Sequence, residues 1–293
     1  MLTGAGLGFR REMLDELDEL RAQRPDFLEV APENWIPFGG KLGRQFAELA
    51  QEFPFVCHGL SLSIGGPAPL DIDFVKTVKR FHDQHNIVIY SEHLSYCSGD
   101  GHLYDLMPIP FTEEAVKYVA ERITVVQDIM EQKLAIENVS YYAAPGQQMT
   151  ELDFINAVLE MADCDLLLDT NNIYVNSVNH NYDPETYLKG LPTKRIAYGH
   201  IAGHYNEATD LIVDTHGADV IDPVWVLQKK AYQHHGLYPT LLERDFNMPP
   251  MPKLLEEVQI IRDIQIKHGP FVGRHAILEN TVKTTVETLA EGV

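Results

Sequence analysis

The feature that most constrains this 293-residue chain is an alternation, kept up almost to its end, of short β-rich runs with longer segments whose apolar residues recur at helical spacing. Eight runs read as strands: Thr3–Gly8, Phe27–Val30, Phe55–Gly59, Ile87–Glu92, Lys133–Glu137, Asp165–Asp169, Arg195–His200 and Pro239–Glu243. The segments that follow them predict helices over Arg11–Arg24, Lys41–Glu52, Asp71–His85, Thr112–Gln132, Glu151–Ala162, Asp183–Lys189, Pro223–His235 and Met251–Gln265. Asp71, Thr112, Thr150 and Asp183 stand where a side-chain oxygen can accept from the orphan amides of a first helical turn. Eight β-then-α units predict an α/β fold, a (β/α)8 TIM barrel rather than an open doubly wound sheet. No Gly/Ser or Pro linker and no low-complexity tract divides the chain, so residues 1–293 are expected to form one domain. The barrel should cover about residues 3–266, with a C-terminal extension over about 267–293.

The composition, 45% apolar and 9% aromatic, is enough for a core of that size. Charge excludes two classes of partner. With 23 Lys+Arg against 43 Asp+Glu, the formal charge of −20 disfavours nucleic acid, whose phosphates need clustered cations, and anionic membrane surfaces. The three cysteines, Cys57, Cys97 and Cys164, lie far apart in an odd number, which suits a reducing compartment and no disulfide framework. The N-terminus lacks a basic region followed by an apolar run, and no stretch reaches 18 apolar residues, so a cytoplasmic location is expected. The early GAGLGF lacks GxGxxG spacing and reads as a tightly packed first strand rather than a dinucleotide loop.

In such a barrel the reactive groups sit at the carboxyl ends of the strands. The first polar residues after the apolar runs are Glu29, His58, Glu92 with His93, Glu137, Asp169, His200 and Glu243, and a VDTHG loop adds Asp214 and His216. A carboxylate after a strand is often only a helix cap, and a lone His there is more often a satisfied core or loop residue than a ligand. The joint pattern carries more weight, because burying so many of these groups at one rim without cations costs several kcal/mol per unpaired charge. Metal ions are the natural counter-charge. Cys57 should face away from its neighbour His58 by strand alternation, leaving nitrogen and oxygen donors that suit zinc, iron or manganese. Composition does not choose among the three.

The runs CHGLSLSIGG (Cys57–Gly66), SEHLSYC (Ser91–Cys97), YDLMPIPFT (Tyr104–Thr112), AIENVSYY (Ala135–Tyr142), LLLDTNNIYVNS (Leu167–Ser177), GHIAGH (Gly199–His204), VDTHG (Val213–Gly217) and LLERDFN (Leu241–Asn247) resemble the DUF692 family, also called UPF0276. The resemblance extends from about residue 4 to about residue 265. It implies a multinuclear non-haem iron oxidase or oxygenase that uses O2 to modify cysteine residues of a ribosomally made peptide. Different members form an oxazolone–thioamide pair or excise the cysteine β-carbon. The family is similar to the wider xylose-isomerase-like barrels, including endonuclease IV with its trinuclear zinc centre.

Carried over by position, that scheme implies one metal held by His58, His93 and Glu137, with Glu137 bridging to a second held also by Asp169, His200 and Glu243. Asp214 and His216 would hold a third together with Asn172, where the nuclease has His. A neutral amide is the weaker donor, so two firmly held ions and a labile third are expected. The implied cofactor is two or three irons, with zinc or manganese as alternatives in isolated protein. The catalytic set would be Glu137, Asp169, His200 and Glu243. His102, Asp105, Asn138, His204 and Arg244 adjoin the motifs and are candidates to orient ligands, contact peptide or shuttle protons, with loop anchoring as the plain alternative. Glu29 and Glu33 are candidates to meet substrate rather than metal.

The resemblance also implies a small partner protein that captures the leader part of the peptide. Three rival readings are weighed, the last of a different class. An endonuclease IV-like phosphodiesterase conflicts with the charge of −20 and with Asn172. A sugar isomerase or epimerase usually adds a catalytic base near the metals, and the nearest Lys, Lys133, lies at the amino end of its strand. A scaffold that has lost catalysis would not need the full His/Asp/Glu set.

Overall fold

The computed structural model describes residues 2–99 and 101–271. In chain order the strands are β1 (Ala5–Gly8), β2 (Phe27–Val30), β3 (Phe55–Gly59), β4 (Tyr90–His93), β5 (Tyr96–Ser98), β6 (His102–Met107), β7 (Leu134–Glu137), β8 (Asp165–Asp169), β9 (Ile196–Ile201), β10 (Tyr205–Ala208), β11 (Leu211–Val213) and β12 (Thr240–Leu242). The pairs β5–β6 and β10–β11 are antiparallel hairpins. The other eight strands are parallel and close into a barrel, β12 returning to pair with β1. The helices are α1 (Leu17–Ala22), α2 (Gly40–Glu52), α3 (Ile72–His85), α4 (Glu113–Met130), α5 (Glu151–Met161), α6 (Thr170–Asn179), α7 (Pro184–Gly190), α8 (Asp222–His235) and α9 (Met251–His268). The chain is therefore a TIM barrel, as the alternation predicts.

Strand alternation sorts the side chains. Phe27, Val56, Ala135, Leu167, Tyr198 and Leu241, with Ile89, form a cluster inside the barrel, separate from the larger core under the helices. Burying each of the larger apolar ones stabilises the fold by roughly 1.5–3 kcal/mol. Two residues further along the same strands come Glu29, His58, Glu137, Asp169, His200 and Glu243, with Ser91 and then His93 above Ile89, so one inward row is apolar and the next is polar. Cys57, one residue out of phase, lies buried in the outer core, as expected. Gly6 is required by this packing, since a Cβ there would come 2.6 Å from the Phe27 ring.

Each predicted cap forms: Asp71, Thr112, Thr150 and Asp183 accept from the amides of Phe74, Ala115, Asp153 and Thr186. Three features depart from expectation. The helix expected from Arg11 begins as a 3-10 turn over Arg11–Glu16, a common way for an α-helix to start. α6 forms over an Asn-rich run for which no helix is predicted, because its weak intrinsic propensity is overridden by buried side-chain bonds such as Tyr141 N to Asn176 Oδ1 at 3.0 Å. The two hairpins, too short to show a clear period of two, grow from the loops after β4 and β9. No described helix is long and apolar enough to cross a membrane. The expected extension lies, from residue 272 on, outside the described residues.

Candidate metal centre

Register brings the polar rim together. His93 pairs with Glu137 across β4 and β7, and Asp169 with His200 across β8 and β9. The Nε2 atoms of His58 and His93 face each other at 3.1 Å, and each lies within 3.4 Å of Glu137 Oε2. His200 Nδ1 stands 3.0 Å from Glu243 Oε2 and 3.9 Å from both Glu137 Oε1 and Asp169 Oδ2. At the edge, His216 Nδ1 is 3.3 Å from Glu243 Oε2 while its Nε2 is 2.7 Å from Asp214 Oδ1.

The atoms aimed inward make no hydrogen bond of good geometry, although His200 Nδ1 and Glu243 Oε2, and His216 Nε2 and Asp214 Oδ1, lie at ion-pair distance. Glu137 Oε2, Asp169 Oδ2, Asn172 Oδ1, His200 Nδ1, His216 Nε2 and Glu243 Oε2 are all buried and unsatisfied among the described residues. Six orphaned polar atoms at one place are far from ordinary, since buried polar groups are nearly always paired. The ligand atoms of Glu137, Asp169, His200 and Glu243 lie within 4.8 Å of one another, as do those of His58, Glu137 and His200, and those of His216, Glu243 and Asp245. The donors are imidazole nitrogen and carboxylate oxygen, a set that fits zinc, iron or manganese.

Electrostatics agree. Burial pushes the Glu137 carboxyl up to about 7, against the pull of His93 and His200. Burial and then the Glu137 charge hold Asp169 well above the usual carboxylate range. Burial would lower His200, but Glu29 and Glu243 outweigh it and raise the imidazole well above its ordinary value; Asp214 and Glu243 do the same for His216. Burial and the His58 imidazole push His93 down to about 4. The rim carboxylates are thus balanced by protons and imidazolium, and a bound divalent ion would displace those protons.

The remaining predicted residues fall at different distances from this cluster. Asn172 donates through Nδ2 to Glu137 Oε1 at 3.2 Å; it is Asn171 that reaches Asp214, at 2.8 Å. His204 holds Asn171 Oδ1 at 2.7 Å and so acts on Asp214 through it. Asn138 donates to the Asp169 carbonyl and accepts from its amide, both at 2.9 Å. Asp105 is exposed and lines the cavity over the cluster. Arg244 faces away, bonded to Asp219 at 2.9 Å and Glu257 at 3.1 Å. Glu33 clamps the loop after β3 through the amides of Leu60 and Ser61. The side chain of His102 lies outside the described residues.

Several residues at the centre escape sequence reasoning. Asp245 accepts at 3.0 Å from His216 Nδ1 and pairs with Arg10, whose position carried no signal. Ser140 donates to Asp214 Oδ2 at 2.9 Å, and Tyr142 OH accepts from the Asp214 amide. Glu29, a candidate in the sequence to meet substrate, accepts from His200 Nε2 at 2.9 Å, where its spacing of two from Phe27 points it. Above the cluster opens a cavity of about 480 Å³, within the ordinary range for ligand sites of roughly 300–1,000 Å³. Leu60, Leu103, Tyr142 and Phe246 line it and are at least 42% exposed, giving an apolar wall over an acidic floor.

Residues 4–266 match the model of a family described as the RiPP precursor modification enzymes MbnB/TglH/ChrH. A UPF0276 protein of Shewanella sediminis is 65% identical over 260 residues, 89% of this chain and 94% of the relative. One from Pseudomonas aeruginosa is 55% identical over 268 residues, 92% of this chain and 94% of the relative. Among solved structures, an L-ribulose 3-epimerase superposes with a TM-score of 0.63 at 14% identity, covering 91% of this chain and 95% of its own. The IolI protein with a bound zinc atom gives 0.61 at 16%, covering 91% and 98%. These distant likenesses show the fold alone, the xylose-isomerase-like TIM barrel.

Proposed function

Because the chain belongs to the MbnB/TglH/ChrH family of enzymes that modify ribosomal peptide precursors, we propose that its rim centre holds two or three iron ions and uses O2 to modify a cysteine of such a peptide. The observation that carries this reading is the gathering of six buried donor atoms without hydrogen bonds of good geometry beside an open cavity that His58, His93, His216 and Glu243 line. Iron bound there would supply the redox chemistry that O2-dependent modification of a thiol-bearing residue requires.

The chain's own residues have distinct tasks. His58, His93 and Glu137 hold one ion; Glu137, Asp169, His200 and Glu243 hold a second. Asp214 and His216, with Asn172 turned toward Glu137 and Asp245 beside His216, leave the third site the weakest. Carboxylates favour the higher oxidation states of iron, which suits redox work. The apolar wall of Leu60, Leu103, Tyr142 and Phe246 would exclude water and seat the residues that flank the cysteine. A small protein that captures the leader segment completes the reading, as does a cytoplasmic setting that keeps the substrate thiol reduced.

The test is anaerobic purification followed by metal analysis and assays on two substrates. Iron in the protein and thiol loss from a cysteine-containing precursor peptide are expected. Zinc alone, with cleavage of abasic DNA and no action on the peptide, would replace this reading with the phosphodiesterase.

A further inference from the structure

Beneath the rim, five buried side chains form an unbroken chain of hydrogen bonds between two of the candidate ligands. His58 Nδ1 lies 2.8 Å from Ser91 Oγ, Ser91 Oγ 2.6 Å from Tyr198 OH, Tyr198 OH 2.6 Å from Glu29 Oε2, and that same oxygen 2.9 Å from His200 Nε2. Each of the five is at most 4% exposed, so no solvent interrupts the path. Register builds it: His58 and Ser91 are paired across β3 and β4, and Tyr198 precedes His200 by two on β9.

Counting protons fixes the direction of every bond. A carboxylate only accepts, so Tyr198 spends its single proton on Glu29. Ser91 must then donate to Tyr198, because two oxygens 2.6 Å apart need a hydrogen between them and the phenol's is already used; the Cys57 carbonyl, 3.2 Å from the same hydroxyl, is the longer and weaker acceptor. With the Ser91 proton spent, His58 Nδ1 has to be the N–H donor to Ser91, and His200 Nε2 has to be the N–H donor to Glu29. Once a bound ion has displaced the second proton of the His200 imidazolium, the nitrogens left carrying lone pairs are His58 Nε2 and His200 Nδ1, which are the two that face the centre.

We infer that Ser91, Tyr198 and Glu29 are positioning residues that set the metal-binding tautomers of His58 and His200 together, as one directional chain ending on one carboxylate oxygen. The inference rests on the reading of both histidines as metal ligands. Hydrogen bonds in series polarise one another, so a change at one end should be felt at the other. Removing the Ser91 proton leaves Tyr198 a weaker donor to Glu29 and leaves Glu29 a stronger acceptor for His200, a residue Ser91 does not touch.

The experiment uses full-length protein loaded with zinc, which is diamagnetic, and labelled with 15N-histidine. The wild type is expected to show His58 protonated on Nδ1 and His200 on Nε2. In Ser91→Ala the His200 Nε2–H proton should move downfield, and in Tyr198→Phe both histidine resonances should shift while zinc affinity falls by at most about tenfold, the lower end of the cost of losing a ligand's direct partner, because Tyr198 acts through Ser91 and Glu29. Each variant removes one hydroxyl, so unchanged circular dichroism is expected of both. If zinc binds but Ser91→Ala leaves His200 unmoved, or His58 carries its proton on Nε2, this inference fails and the metal reading stands. If the wild type takes up no zinc, both fail.

Discussion

Asp169 accepts from the backbone amide of Asn172 at 2.6 Å through Oδ1, capping α6, and leaves Oδ2 buried and unpaired beside His200. One side chain thus starts a helix and faces the proposed metal, so the cap fixes the donor's orientation.

This division predicts different outcomes for two substitutions. Asparagine caps about as well as aspartate, so Asp169→Asn should melt within a few tenths of a kcal/mol of the metal-free wild type. It should also lose most of its bound metal. Asp169→Ala should lose the metal and, in addition, about 1 kcal/mol of stability. Thermal melts paired with metal analysis separate the effects; full metal content in Asp169→Asn would place the centre elsewhere.

Metal removal should destabilise the protein measurably. An ion that binds only the folded chain contributes about 2.7 kcal/mol at one hundred times its dissociation constant. A chelator should therefore lower the melting temperature, and iron(II) or zinc should restore it in the wild type and not in Asp169→Asn. A melt indifferent to chelator would contradict the assignment.

Arg10, Asp245 and His216 form a second support, at the edge of the centre. Asp245→Asn keeps the shape and removes the charge that holds His216 Nδ1. The labile metal should then be lost at roughly tenfold lower chelator concentration, with the other ions unaffected. Stepwise release followed by atomic absorption reads this directly. Simultaneous loss of all ions would show that the sites are not graded.

Glu151, outside the centre, should impose a pH dependence of stability. Burial pushes its carboxyl up to about 7, with hydrogen bonds from Tyr187 and Asn176 offsetting only part of the shift. The folded state then holds a proton that the unfolded chain releases near its ordinary value of 4.5. Its contribution is full below about pH 4.5 and is lost as pH rises through about 7. Across that window the wild type should lose on the order of 2 kcal/mol relative to Glu151→Gln, allowing for partial solvent screening. Urea melts at pH 5 and pH 8 measure the difference, and parallel curves would refute it.

The barrel and most of its inward residues were legible in the sequence because a period of two governs both. The rule that puts Leu167 in the apolar layer puts Asp169 at the rim, and the same count from Phe27 puts Glu29 under His200. It also turns Arg244 outward, being one residue after inward-facing Glu243, so its pairing with Glu257 could have been foreseen. Arg10 and Asp245 were not legible, since they meet across 235 residues of chain and neither stands in a periodic element. α6 was hidden by its asparagines, whose helix-breaking habit is reversed once Asn171, Asn172 and Asn176 bond within the fold.

The central claim is that this rim uses iron and O2 on a peptide cysteine. The direct measurement is O2 uptake by iron(II)-loaded protein supplied with a cysteine-containing ribosomal precursor peptide, alongside the same peptide with serine in place of cysteine. Uptake in proportion to thiol lost, a mass change on the cysteine peptide alone, and neither in Asp169→Asn are the predicted results. Equal uptake with both peptides, or an unaltered cysteine peptide in the presence of its leader-binding partner, would contradict it.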